Sequence, residues 1–168
     1  MEAREPVAEL DARYSDPKAT ATPWAEARGL LQGAGTFWLS TVRPDGRPHV
    51  TPLLGIWAEG AMYFCTGPAE RKAANLAANP HCVLTTGCNS LTEGLDVVVE
   101  GDATVVGDDA LLRRLAGAYE EKYGQNWHFD VRDGAFHGEG GRALVYEVAP
   151  SKVLGFAKDP YGQTRWRF

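Results

Sequence analysis

The sequence predicts a mainly β chain with helices (α+β), in which about six antiparallel strands form a small barrel decorated by three to four helices. Two observations predict the sheet. Apolar runs of strand length follow one another closely, and Asp45-Gly46 and Glu59-Gly60 mark tight turns between them. A third observation predicts the decoration, because segments of helical period interrupt the strands at intervals.

Taken in order, residues 1–14 place Val7, Leu10 and Tyr14 at helical spacing, so a short helix is expected there. The stretch 15–23 connects to a second helix, PWAEARGLLQGA. Pro23 suits its first turn, Glu26 follows Thr22 near the capping-box offset, and Gly33 and Gly35 end it. The period then changes to that of strands at 37–43, 48–57 and 61–66. Pro52 is awkward in a central ladder and points to a bulge or an edge, which leaves backbone polar groups free for a ligand. A helix at 70–79 precedes strands at 81–87 and 96–106. Leu111, Leu112, Leu115 and Tyr119 then fall on one face of a helix capped near Asp108. Strands at 143–150 and 152–158 lead to a tail, DPYGQTRWRF, whose aromatics and arginines indicate that it docks. The organisation expected is one domain over 1–168, with a helical segment at about 1–35 and a docking tail at about 159–168.

A chain of 168 residues suits a single core. A net charge of −5 argues against a general nucleic-acid binder, and no apolar run is long enough to span a bilayer. The amino-terminal residues lack the apolar core of a secretory signal. Three cysteines give no disulfide framework, so a cytoplasmic location is expected.

The stretch FCTGPAERK at 64–72 carries the most chemistry. If Gly67 caps the following helix, Pro68 takes its first position, and Glu70 its third, where it can reach back to the cap. First-turn amides and the helix dipole favour an anion there. Thr66 adds a hydroxyl, Arg71 a planar fork and Lys72 a mobile point charge, a combination that suits phosphate. Two solvated surface cations explain the local residues equally well.

The surrounding residues extend that reading. Asp45-Gly46, the Pro-His-Val-Thr-Pro run from Pro48 to Pro52, Phe64 with Thr66, Arg71-Lys72, Asn75-Leu76 and Asn79-Pro80 follow in order. This series resembles the pyridoxamine 5′-phosphate oxidase-like superfamily of flavin-binding split barrels. The resemblance implies a homodimer with flavin-type cofactors at the subunit interface. It implies that Arg71 and Lys72 hold the cofactor phosphate with help from Thr66, and that Val50, Thr51 and Pro52 line the ring system, largely through backbone groups. FMN is the first expectation and the deazaflavin F420 the alternative; a non-catalytic flavin or heme binder is the rival class. Where the vitamin B6 oxidases of this superfamily carry a tyrosine before the Thr and a serine before Arg-Lys, this chain has Cys65 and Glu70. The resemblance therefore supports an oxidoreductase acting on a small molecule by hydride transfer more strongly than the vitamin B6 reaction itself.

His49 is a candidate pocket residue, and a histidine satisfied on a half-buried sheet explains it equally. Trp166 could stack beside the ring or plug the cleft, with Arg165 and Arg167 meeting an anion; the alternative is an anchored chain end. His81, Cys82 and Cys88 match no compact ligand signature, so no metal is expected. Cys65 reads as buried and inert, Trp38 and Trp57 as core or interface aromatics, and His128 and His137 as surface residues bordering a turn. No catalytic acid or base is named by spacing, and no nucleic-acid or membrane partner is expected.

Overall fold

The computed structural model describes residues 5–168. Among the described residues eleven strands share one hydrogen-bonded antiparallel network, and three α-helices pack on it. The strands that position the site are β2 (Phe37–Val42), β3 (Pro48–Leu53), β4 (Ile56–Ala58), β5 (Ala61–Thr66), β6 (His81–Thr86), β7 (Leu95–Val105) and β10 (Gly141–Ala157). They run in the spatial order β3-β2-β6-β7-β10-β5-β4. β3 pairs with β2 and, among the described residues, with no other strand, so the barrel stays open between β3 and the β4–β5 hairpin.

Strand alternation explains the two cores. In β5, Met62 and Phe64 face the barrel interior with Phe37, Leu39, Leu84, Val97, Val99 and Val148. Ala61, Tyr63 and Cys65 face the other way, where α3 (Asp109–Tyr123) lays Leu112, Leu115 and Tyr119 on them. Asp108 caps α3 by accepting the amides of Ala110 and Leu111. The hairpin of β8 (Asp130–Arg132) and β9 (Ala135–Gly138) adds Phe136 to this second core. α1 (Trp24–Gly33) inserts Trp24, Ala27 and Leu31 into the barrel core.

Several sequence expectations are corrected. Val7–Leu10 is a strand, β1, pairing with β11 (Gly162–Arg167), followed by a single 3-10 turn at Ala12–Tyr14. Val7 is 69% exposed, so the helical spacing marked no buried face, and backbone pairing with β11 decides the conformation. The part of that expected helix at residues 1–4 lies outside the described residues. The Thr22–Glu26 capping box is not made: the Thr22 amide donates to Thr164 Oγ1 at 2.9 Å, which ties the helix entry to β11. The run at 48–57 breaks at Leu54-Gly55 into β3 and β4, and the two runs at 143–150 and 152–158 are one long strand with a bulge between Pro150 and Lys152. Gly101 faces that bulge; a Cβ there would lie 2.5 Å from the Ala149 carbonyl oxygen, so only glycine permits the approach.

Candidate functional site

The residue types singled out at 64–72 meet the β2–β3 hairpin. The hairpin register pairs Thr41 with His49 and Leu39 with Thr51, so these four point to one face, and Trp38, Ser40, Val42, Pro48, Val50 and Pro52 to the other. α2 (Arg71–Ala78) lies over the first face: Asn75, fully buried, donates from Nδ2 to Thr41 Oγ1 at 3.0 Å. Arg71 and Lys72 stand four and three residues before Asn75, which places them on the same side of the helix, one turn nearer its N-terminus. The sequence thus brings His49, Thr51, Thr66, Arg71 and Lys72 to one end of the barrel.

Orphaned polar atoms mark this end. His49 Nδ1, Thr51 Oγ1, Thr66 Oγ1, Asn75 Oδ1 and Arg43 Nε are buried without a hydrogen-bond partner among the described residues. Buried polar groups are ordinarily paired, so five orphans in one neighbourhood are what a polar ligand would satisfy. Burial first, and then the charges of Arg43, Lys72 and Arg71, hold the His49 imidazole below its ordinary pKa. All three cations thus lie near enough to His49 to act on its charge. Arg71 is exposed and makes no side-chain ion pair among the described residues, whereas Lys72 pairs with Glu70.

The corner at 64–72 is built differently from the capping-box expectation. Helix α2 begins at Arg71 with Glu70, not Gly67, in the cap position. The Glu70 carboxylate accepts the Gly67 amide at 3.0 Å and pairs with Lys72, whose charge holds it below the usual carboxylate range. Glu70 therefore closes the Thr-Gly-Pro turn and orients Lys72. Arg43 and Asn75 are the functional candidates that the sequence reading did not single out for a role. The alternation from Leu39 through Thr41 to Arg43 was the available signal for the first, and the Asn75-Leu76 pair for the second: Leu76 enters the barrel core while its neighbour reaches the hairpin.

β3 offers a different surface. Val50 is 51% exposed, and Pro52 is exposed on the same face. Pro48 and Pro52 cannot donate, so they fit strand positions whose backbone groups point away from β2. The same parity leaves the Val50 amide and carbonyl on the open edge. Thr51 points inward.

The tail does not join this cluster within one chain. β11 and β3 lie at opposite ends of the strand order, with β10, β7, β6 and β2 between them. Trp166 is completely enclosed, its ring centroid 5.6 Å from that of Trp24 and its edge covering Gly155. With no exposed face it cannot stack on a ring, and the expectation of a ring contact from this side chain is corrected to a core role. Arg165 is half-buried, and Arg167 pairs with Glu9 of β1 at 3.4 Å.

The remaining candidates separate. His81 Nδ1 lies 2.5 Å from Asp102 Oδ1 at the mouth of a groove of about 940 Å³ on the outer sheet face, a groove that none of the predicted site residues lines. Burial pushes the Cys82 thiol up to about 12 and the Cys65 thiol up to about 11. His128 bonds Glu120 at 2.8 Å on the surface. Among the described residues no group of three or more His, Cys, Asp or Glu could hold a metal ion. No helix there is long and apolar enough to cross a membrane.

An open antiparallel barrel, with a cationic cluster over one hairpin and a proline-marked free edge beside it, defines a split-barrel protein with a cationic corner. The family model described as pyridoxamine 5′-phosphate oxidase matches residues 23–156, and the chain belongs to that family. A pyridoxine/pyridoxamine 5′-phosphate oxidase from Rhodospirillum rubrum is 33% identical over 129 residues, a match spanning 72% of this chain and 59% of that one. Among solved structures, a conserved hypothetical protein from Mycobacterium tuberculosis superposes with a TM-score of 0.66 at 18% identity, covering 89% of each chain. A heme binding protein from Mycobacterium smegmatis also superposes with a TM-score of 0.66, at 17% identity over 83% of this chain and 55% of that one. The fold is thus shared by relatives named as oxidases and by a heme binder.

Proposed function

We propose that this chain is an FMN-dependent oxidoreductase that transfers hydride to or from a small organic molecule, with its cofactor held at a homodimer interface. The observation that carries the reading is the convergence of orphaned polar atoms and cations on the inward face of the β2–β3 hairpin. These residues fit a phosphate-bearing cofactor. Arg71 and Lys72 hold the phosphate, and the Thr66 hydroxyl, which lies beside the Glu70 carboxylate without a well-formed bond to it, donates to the phosphate. The free edge of β3 offers the Val50 amide and carbonyl to the polar rim of a flat ring, and Thr51 and Pro52 set the position of that edge. When bound, FMN supplies the hydride-accepting ring; the protein supplies orientation and exclusion of water. F420 is the alternative cofactor at the same site.

The other hairpin face supports the dimer reading. Trp38 is 50% exposed and Val50 51%, and the register sets Ser40 opposite Val50 and Trp38 opposite Pro52 on that side. A second copy covering this face would bury an exposed tryptophan beside the cofactor edge. In such a dimer Arg165 and Arg167 of the partner subunit are the arginines offered to the substrate, a reading supported by the separation of β11 from β3 in the strand order.

The non-catalytic reading is favoured by one finding, the fold shared with a heme binding protein. Absorption and mass spectra of the purified protein, before and after addition of FMN, F420 or heme, separate the readings. A bound flavin spectrum and FMN mass support the proposal. A Soret band with no flavin uptake would replace it with the heme reading.

A further inference from the structure

We propose that Arg43 is a third cationic arm of the phosphate grip, and that the completed grip selects a phosphomonoester end over a diesterified phosphate. The inference rests on the cofactor reading above and extends it to a residue outside the Arg71-Lys72 pair.

One residue past β2, the alternation puts Arg43 on the face shared by Leu39, Thr41, His49 and Thr51. The hairpin turn fixes its backbone, with the Arg43 amide donating to the Arg47 carbonyl at 3.0 Å. Its side chain is half-buried, its Nε is buried without an acceptor, and no carboxylate pairs with it among the described residues. The Nε–H of that guanidinium has lost water and gained no acceptor in return. The charges of Arg43, Lys72 and Arg71 all bear on the His49 imidazole, Arg43 foremost among them, in keeping with their shared end of the hairpin. Two more side chains converge there with unpartnered polar atoms. Thr66 is 3% exposed and Asn75 0%. The Thr66 hydroxyl can donate to an anion; Asn75 Oδ1, an acceptor, suits a guanidinium N–H or a ligand hydroxyl.

Charge decides the ligand class. Arg43, Arg71 and Lys72, offset by the Glu70 partner of Lys72, leave a surplus of two positive charges at the corner. A phosphomonoester carries roughly −1.5 to −2 at pH 7, and a diester carries about −1, so the monoester matches the surplus. A planar arginine fork takes two terminal oxygens on one phosphorus, which mono- and diesters both present, but only a monoester leaves a third terminal oxygen for a further cation.

The test is titration of FMN, riboflavin and FAD into the wild-type protein and into Arg43→Gln, Arg43→Lys and Arg71→Gln, read by flavin fluorescence at fixed ionic strength with melting curves for each variant. Arg43→Gln is expected to weaken FMN roughly 10- to 100-fold and to leave riboflavin within about twofold, with Arg43→Lys between. FAD, in which each phosphate carries one ester and one anhydride bond and so a single charge, is expected to bind the wild type at least about tenfold more weakly than FMN. An unchanged FMN affinity in Arg43→Gln, beside a loss in Arg71→Gln, overturns the role of Arg43 and leaves the cofactor reading standing. Equal losses of FMN and riboflavin in Arg43→Gln assign the residue to the hairpin's fold and overturn the inference. FAD binding as tightly as FMN overturns the monoester selection. A wild type that binds FMN no better than riboflavin overturns both readings.

Discussion

Asn75→Ala removes a side-chain bond that ties α2 to the β2–β3 hairpin, the 3.0 Å contact from Nδ2 to Thr41 Oγ1. The lost hydrogen bond costs about 0.5–1.5 kcal/mol net, and the Thr41 hydroxyl, 2% exposed, is left without its donor. Removing the amide also removes Asn75 Oδ1, which is buried and unpartnered, and this offsets part of the loss. The net expectation is about 1–2 kcal/mol of destabilisation, or roughly 2–8 °C in Tm for a chain of this size. The mechanism, rather than the magnitude, is tested by a double-mutant cycle with Thr41→Val in urea denaturation. A coupling of about 1 kcal/mol is expected, because each single change removes the same bond. FMN affinity is expected to fall in Asn75→Ala as Arg71 and Lys72 lose their fixed position over the hairpin. Strict additivity of the two changes, with FMN binding untouched, would refute the claim that this bond positions the cations.

The remaining predictions concern packing, titration and thiol access. Gly155→Ala places a Cβ 2.4 Å from the Trp166 ring, so overpacking of about 1–3 kcal/mol is expected in calorimetry; an unchanged Tm would mean that Trp166 is not seated as described. The His49 pKa is depressed by burial and by three cations, so its contribution to stability is complete above the unfolded value of about 6.5 and is lost as pH falls through the depressed folded value. NMR titration should show that pKa rising when inorganic phosphate or FMN is added, because an anion cancels the cationic field; a pKa insensitive to both would separate His49 from the anion site. Iodoacetamide at neutral pH should label Cys88 first, since Cys88 is exposed while burial holds the thiols of Cys65 and Cys82 up to about 11 and about 12. Rapid labelling at either buried thiol would contradict the packing of β5 or β6.

The strands and α3 were legible because their burial is one-sided, and one-sided burial writes a period into the residues. β5 shows the limit of that rule: AMYFCT reads as a continuous apolar run because both of its faces are covered, one by the barrel core and one by α3. Val7, Leu10 and Tyr14 misled because an edge strand with little buried surface carries almost no pattern, and pairing with β11 fixes it instead. At the site, Arg71, Lys72 and Thr66 were legible as neighbours in one stretch. Arg43 was not, since its relation to them depends on α2 lying across the hairpin, a contact made by residues 34 positions apart. Glu70 departs from the pattern of the vitamin B6 oxidases, yet its position has a local reason: it closes the Gly67 turn and anchors Lys72. Trp166 illustrates the converse, a residue type suited to ring stacking that the fold spends on its core.

The most direct test of the account is titration of FMN into the wild-type protein and into the Arg71→Ala, Lys72→Ala double variant, with riboflavin as the ligand lacking phosphate. Two charge-assisted contacts at about 1.5–3 kcal/mol each predict a loss of FMN affinity of at least about 100-fold, with riboflavin unchanged. Equal FMN dissociation constants for wild type and double variant would contradict the assignment of this corner as the cofactor-phosphate site.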